Sequence, residues 1–271
     1  MTNRKKIVGY LLLTLGAMAM IVPFLWMVVV AFTKPDITYN MSISNILNSF
    51  SLKQFKTLFS DYPISIYLFN SILVAVISSL GQVLICSMSG YIFARVDFKH
   101  KDKLFILYLA TMMIPVQATI IPQYIIMNKF SLINTYAGLI LPGLFNAFGT
   151  FLMRQYFMNI PKAIEEAAYL DGAGQLRVFF KIMLPLVKPG LAVLSVMSFM
   201  GAWNDFLWPL LVSSDEIHTT LPLFLSQLQG RWYVDWSILM AATLISVTPI
   251  MIVYLFAQRY FIEGVQSSAV K

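Results

Sequence analysis

The chain has 271 residues, of which 59% are apolar and only 11% charged, and its mean hydropathy is +0.76. Soluble domains run near a quarter charged because their surface faces water, so this composition excludes an ordinary soluble domain and requires a surface satisfied by lipid. The net charge of +7 does not mark a nucleic-acid binder, because the basic residues sit in short clusters between apolar runs rather than along one stripe.

In chain order, Arg4-Lys5-Lys6 precede an apolar run from Ile7 to Phe32. A secretory h-region is roughly 7–15 residues long and ends at a small-residue cleavage site. This run is longer and ends Val30-Ala31-Phe32-Thr33-Lys34, so it is read as a retained span with Pro23 tolerated inside it. A bilayer core of about 30 Å needs roughly 20 apolar residues per helix. On that measure the spans are 7–32, 64–90, 104–127, 135–157, 189–212 and 237–259, all within one transmembrane domain covering 1–271. With the N-terminus inside, the cytoplasmic segments carry fourteen Lys and Arg, from Arg4 to Lys6, Arg95 to Lys103, Arg154 to Lys188, and Arg259 and Lys271. The outer segments carry five: Lys34, Lys53, Lys56, Lys129 and Arg231. That bias predicts both termini in the cytoplasm. The expected class is an all-α polytopic membrane protein with six transmembrane helices.

Two outer stretches exceed simple hairpins. In 33–63, the spacing of Leu52, Phe55, Leu58 and Phe59 predicts one face of a helix starting near Ser51, lying on the membrane surface or packed on the bundle's outer end. In 213–236, Gly230-Arg231-Trp232-Tyr233 and Trp236 are read either as interfacial anchors or as a loop contacting partner or substrate. Cys86 is the single cysteine and lies in an apolar run, while His100 and His218 fall in separate connections, so no disulfide framework or metal site is expected.

The longest cytoplasmic connection, 158–188, predicts two short helices around a tight turn. Pro161 suits a first helical turn, and Glu165 and Glu166 follow near the positive end of the dipole. Asp171-Gly172 is a turn signal, with Gly172 free to take φ > 0. Val178, Phe179, Ile182 and Leu186 then recur at helical spacing, and Pro185 marks a break. Ala163, Ala167 and Ala168 make the first helix slim enough to enter a groove on another protein, with acidic groups beside it for basic partners.

Polar residues inside spans are candidate pathway positions. Trp203, Asn204 and Asp205 lead. Asp205 falls roughly 22 Å along the fifth span from Gly190, past mid-membrane, where a charge must face the bundle or a partner. Gln82, Gln117, Gln123 and Asn146 can hydrogen-bond a polar solute, and amides also join helices to one another in membranes. Pro115, Pro122, Pro142, Pro209 and Pro249 are read as kinks.

Glu166-Ala167-Ala168, three residues, Gly172, nine residues, Ile182, one residue, Leu184-Pro185 resembles the EAA signature of ABC-importer permeases at all seven specified positions. Gly90-Tyr91-Ile92-Phe93-Ala94-Arg95, Met113-Ile114-Pro115, Asn134 to Pro142, Trp203 to Leu210 and Gln258 to Phe261 are similar to the carbohydrate branch, on the side of the maltose-type second permease. This resemblance implies a type I ABC-importer permease fold at the plasma membrane, moving a sugar or oligosaccharide inward by alternating access. It implies an ATPase-coupling surface at Glu165, Glu166, Ala167, Ala168, Asp171, Gly172, Ile182, Leu184 and Pro185. It further implies a second homologous permease, an ABC ATPase dimer, an extracytoplasmic solute-binding protein, and a tail from Gly264 to Lys271 reaching the ATPases. No G-x-x-x-x-G-K-[ST] loop occurs, so no cofactor is expected in this chain, and ATP and Mg would be held by the ATPase partner. A polyamine or peptide permease is the alternative, and no catalytic cluster favours an enzyme.

Overall fold

The computed structural model describes residues 3–34, 50–230 and 234–269. Among them regular structure is helical, apart from one isolated bridge between Thr33 and Phe50. In order, the helices are α1 (Asn3–Ala31), α2 (Lys53–Asp61), α3 (Ile64–Arg95), α4 (Lys101–Ala110), α5 (Val116–Lys129) and α6 (Tyr136–Ile140). They continue with α7 (Ala147–Met158), α8 (Lys162–Leu170), α9 (Gln175–Leu186), α10 (Lys188–Trp203), α11 (Leu207–Val212), α12 (Leu221–Leu228) and α13 (Trp236–Ala269). The expected helix near Ser51 is α2.

Three spans are continuous, along Lys6–Ala31, Ile64–Arg95 and Trp236–Phe256. Three more arise only by joining helices across a bend: Lys101–Met113 with α5 (99°), Tyr136–Leu144 with α7 (47°), and α9 with α10 (83°). Runs 104–127 and 135–157, each expected as one span, are therefore interrupted. Their breaks have local causes. Ile114 precedes Pro115 and is pushed out of the helical region to φ −86°, ψ 116°. A short 3₁₀ turn that contains Pro142 (Leu141–Leu144) gives way to extended backbone at Phe145 and Asn146. The fifth run, 189–212, is likewise two helices, α10 and α11, separated by Asn204-Asp205-Phe206. Pro122 and Pro249 sit inside helices that continue through them.

The chain divides into two compact units, residues 1–66 with 223–249 and residues 67–222 with 250–271. In the first, the end of α1 is tied to α2: Ser51 N–H donates to Phe32 O (2.9 Å), the buried Gln54 amide donates to Thr33 O, and Phe32 stacks on Phe50 at 5.2 Å. Gln54 and Leu58 are the buried residues of α2, whereas Leu52 and Phe59, expected on its apolar face, are exposed. Arg231-Trp232-Tyr233 lie outside the described residues.

In the second unit, a core forms where α3, α7, α8, α9 and α10 meet, built on Cys86, Tyr91, Met153, Phe157, Ala168, Phe179 and Leu194. Gly90 permits this contact, since a Cβ there would lie 2.7 Å from Met153 Cβ and 2.8 Å from the Arg154 backbone nitrogen. Along α9 and the residue that follows it, Val178, Phe179, Met183 and Val187 are buried, while Leu186 is 49% exposed. The expected stripe through Ile182 and Leu186 is corrected because Val178–Met183 is π-helical, and the wider turn moves the inward face on by one residue. That turn lies just before Pro185, which lacks an N–H and crowds the preceding carbonyls.

A second cluster at the other end of α3 joins Val74 to Leu139, Ile140, Trp208 and Val212. Polar ties reinforce it. The fully buried Asn70 donates to Ile217 O (2.7 Å) and Thr219 O (2.8 Å) and accepts from the Tyr136 hydroxyl (2.7 Å). Trp208 Nε1 donates to Gly138 O at 2.9 Å.

Candidate functional site

The 158–188 connection folds as two helices around a turn, as the sequence predicts, with Pro161 one residue earlier than expected, at the N-cap of α8. Helix α8 stops at a Schellman motif. Gly172 takes φ +79°, its N–H donates to Tyr169 O (3.0 Å), and Ala173 N–H donates to Ala168 O (3.0 Å). Asp171 is the C-cap and is exposed.

The two acids of α8 point to different surroundings. Glu165 is buried, accepting from the Tyr91 hydroxyl at 2.7 Å and lying 3.4 Å from Arg95 Nε. That guanidinium is itself buried and donates through Nη2 to Phe157 O (2.6 Å) and Ile160 O at the end of α7. Its Nε–H is within ion-pair range of Glu165 but is not aligned for a hydrogen bond. Arg95 thus satisfies terminal carbonyls of one helix and a carboxylate of another, fixing α8 to α3 and α7. A second link, from Arg154 to Asp102 (3.6 Å), to Phe93 O (3.1 Å) and over the Phe105 ring (4.3 Å), joins α7 to α3 and α4.

Glu166 and Ala167 face outward, together with Ala163. Beside them Ile164, Tyr169, Leu170, Leu176 and Phe180 are exposed, Leu170 at 89%. Of the expected coupling residues, Glu166, Ala167, Asp171, Gly172 and Pro185 therefore lie at the surface. Glu165 and Ala168 face the core, and Ile182 and Leu184 pack partly against it.

A cavity of about 570 Å³ opens in the same unit, lined by α3, α5, α10, the α6–α7 link and residues 204–209. It gathers Asn146, Asn204 and Asp205 of the expected pathway set, with Gln82 and Gln123. It does not include Trp203, which is 1% exposed and stacks on Phe199 at 5.7 Å, or Gln117, which is exposed elsewhere on α5. Asn146 caps α7 through Gly149 N–H (2.8 Å), and Asp205 accepts from Trp208 N–H (3.3 Å) across the α10–α11 break. Asn204 donates to Met200 O (2.8 Å). Asn70, Tyr91 and Arg95 were not singled out from the sequence as site residues. The signal available for Asn70 was a polar side chain inside an apolar run.

Residues 86–267 match the model of one protein family, described as the binding-protein-dependent transport system inner membrane component. The chain belongs to that family. Among its relatives, a probable ABC transporter permease protein, YurM of Bacillus subtilis, is 35% identical over 275 residues, covering 99% of this chain and 91% of the relative. The arabinooligosaccharides transport system permease protein AraQ of Halalkalibacterium halodurans is 38% identical, covering 74% of this chain and 72% of the relative. The sn-glycerol-3-phosphate transport system permease protein UgpE of Pectobacterium atrosepticum is 35% identical, covering 76% and 74%. Among solved structures, a chain of a bacterial ABC transporter involved in import of the acidic polysaccharide alginate superposes with a TM-score of 0.87 at 22% identity, covering 96% of this chain and 99% of that one. A chain of the methionine ABC transporter MetNI gives 0.52 at 14% identity, covering 71% and 92%. The fold of this inner membrane component is thus the type I ABC-importer permease fold expected from the sequence.

Proposed function

We propose that this chain is a permease subunit that carries a sugar or oligosaccharide into the cell by alternating access, driven by separate ATPase subunits. The observation that carries the reading is the asymmetry of α8. One side is locked to α3 and α7 through Glu165, Arg95 and Tyr91, and the other presents Ala163, Glu166, Ala167 and Leu170 outward. A short helix fixed to a membrane span and bearing exposed apolar side chains outside the lipid is suited to sit in a groove and move as a rigid body. Sugar as the solute is supported by the names of relatives such as AraQ.

In this reading the partners are a second homologous permease, an ABC ATPase dimer that binds ATP and Mg, and an extracytoplasmic solute-binding protein. Both termini are cytoplasmic, so α8 meets the ATPase on the inner face, and residues 1–271 act as one permease domain. ATP-driven closure of the ATPases draws the two α8 helices together and reopens the pathway on the other side. The test is Glu166→Lys in the assembled transporter, measuring uptake alongside ATP hydrolysis. Loss of uptake with the complex intact is expected, and normal uptake would overturn the coupling role.

A further inference from the structure

The cavity contains more hydrogen-bonding capacity than the chain itself uses. Ser78 and Gln82, one turn apart, straddle the middle of α3, are 6% and 8% exposed, and make no hydrogen bond among the described residues. Across the cavity, Ser198 Oγ is buried with no partner, and the half-buried Gln123 on α5 makes no side-chain hydrogen bond among the described residues. Asn146 commits its side-chain oxygen to Gly149 N–H and leaves its amide N–H groups unbonded among the described residues, while Asp205 accepts from the Trp208 and Leu207 backbone N–H groups and retains acceptor capacity on its carboxyl oxygens. At membrane depth, unpaired amides and hydroxyls are costly unless water or a ligand pairs with them. Groups of this kind that converge from three helices and two connecting segments of the fold describe a binding site. The cavity volume, about 570 Å³, lies in the range of small-ligand sites.

Its charge is as informative as its polarity. Among the described residues no Lys, Arg or His lines it, and Asp205 is the single ionisable group. A carboxylated or phosphorylated sugar would be placed beside a carboxylate, with no counter-charge, in surroundings of low dielectric. Phe145, Phe148 and Trp208 supply apolar faces for the C–H surface of a sugar ring.

We propose that this chain carries its own subsite for a neutral saccharide, formed by Ser78, Gln82, Gln123, Asn146, Ser198 and Asp205, and that the subsite rejects anionic sugars. The inference rests on the sugar-import reading and narrows its substrate class. The test is saturation-transfer NMR on the assembled transporter in nanodiscs without binding protein. The probes are a neutral arabinotriose, a tri-galacturonate and spermidine. Arabinotriose should bind, tri-galacturonate should bind at least tenfold more weakly, and Gln82→Leu should weaken arabinotriose about tenfold, the loss of one or two ligand hydrogen bonds. Gln82→Arg, which adds the missing cation, should invert the preference between the two saccharides. Equal binding of tri-galacturonate overturns the charge selection and leaves the sugar reading intact. Unchanged arabinotriose affinity in Gln82→Leu and Ser198→Ala overturns the subsite and likewise leaves that reading intact. Binding of spermidine alone overturns both.

Discussion

Replacing Arg95 with Met should release α8 from the membrane spans. The native guanidinium, 5% exposed, lies 3.4 Å from Glu165 and donates to Phe157 O and Ile160 O. Methionine fills much of the stem's space but supplies no donor. Glu165 then keeps only the Tyr91 hydroxyl, Ile160 O loses its side-chain donor, and Phe157 O keeps only the Ile160 N–H at 3.2 Å. Removing one member of a buried ion pair costs ~3–5 kcal/mol. Glu165→Gln is milder, since the amide still accepts from Tyr91 and Arg95 keeps its carbonyls. Because the Arg95 Nε–H is not aligned on Glu165 in the native site, that loss should stay at about 1–2 kcal/mol. A chain of this size loses about 2–4 °C in unfolding temperature per kcal/mol. Arg95→Met should therefore lower the midpoint of the assembled transporter by on the order of 10 °C, and Glu165→Gln by less than half as much. Arg95→Met with Glu165→Leu removes both charges and should fall between the two. Thermal unfolding of the purified complex, read beside ATP-coupled uptake, measures all three. If Arg95→Met is no more costly than Glu165→Gln, Arg95 does not hold α8 and the reasoning fails.

Gly172 sits at φ +79° with open space where a Cβ would go, so Gly172→Val should cost only backbone strain, about 1–2 kcal/mol. Gly172→Asn should recover most of that stability and uptake, because Asn tolerates the left-handed region. Gly90→Val meets backbone that cannot yield, 2.8 Å from Arg154 N. A loss of ~1–3 kcal/mol or a failure to assemble is expected, read as the yield of folded complex on size-exclusion chromatography. In the connection between α11 and α12, burial raises the Asp215 carboxyl, but hydrogen bonds from the His218 side chain and backbone, its charge and the Ile217 backbone outweigh this and hold it below the usual carboxylate range. A depressed carboxylate stabilises above its unfolded pKa, about 3.9, and the contribution fades as pH falls through the lower folded value. Thermal stability should therefore drop below about pH 4, with Asp215→Asn flattening that part of the profile.

The run lengths and the positions of the spans follow directly from hydrophobicity, and the stop of α8 follows from one glycine, because both depend on local sequence. The breaks inside three spans were less legible. Prolines at 115 and 142 coincide with interruptions, whereas those at 122 and 249 lie in unbroken helices, so the residue alone does not decide. The π-helical stretch has the same character, and it moved the inward face from Ile182 to Met183 within α9 and from Leu186 to Val187 just after it. Glu165 and Glu166 are adjacent in sequence, yet one faces Arg95, seventy residues away, and the other faces out. Only the packing of α8 separates them. The cavity was half legible, since Asn146, Asn204 and Asp205 meet there while Trp203 turns into the core.

The most direct test of the coupling account is disulfide cross-linking of α8 to the ATPase subunit in the assembled transporter. The single native thiol, Cys86, is buried and does not compete. Cysteine at position 163 or 167, on the outward face, should cross-link to a cysteine in the ATPase groove, with a yield that changes on adding ATP. Cysteine at position 168, on the inward face, should not. Cross-linking at 168 but not at 163 or 167, or none at any of the three in a transport-active complex, would contradict the account.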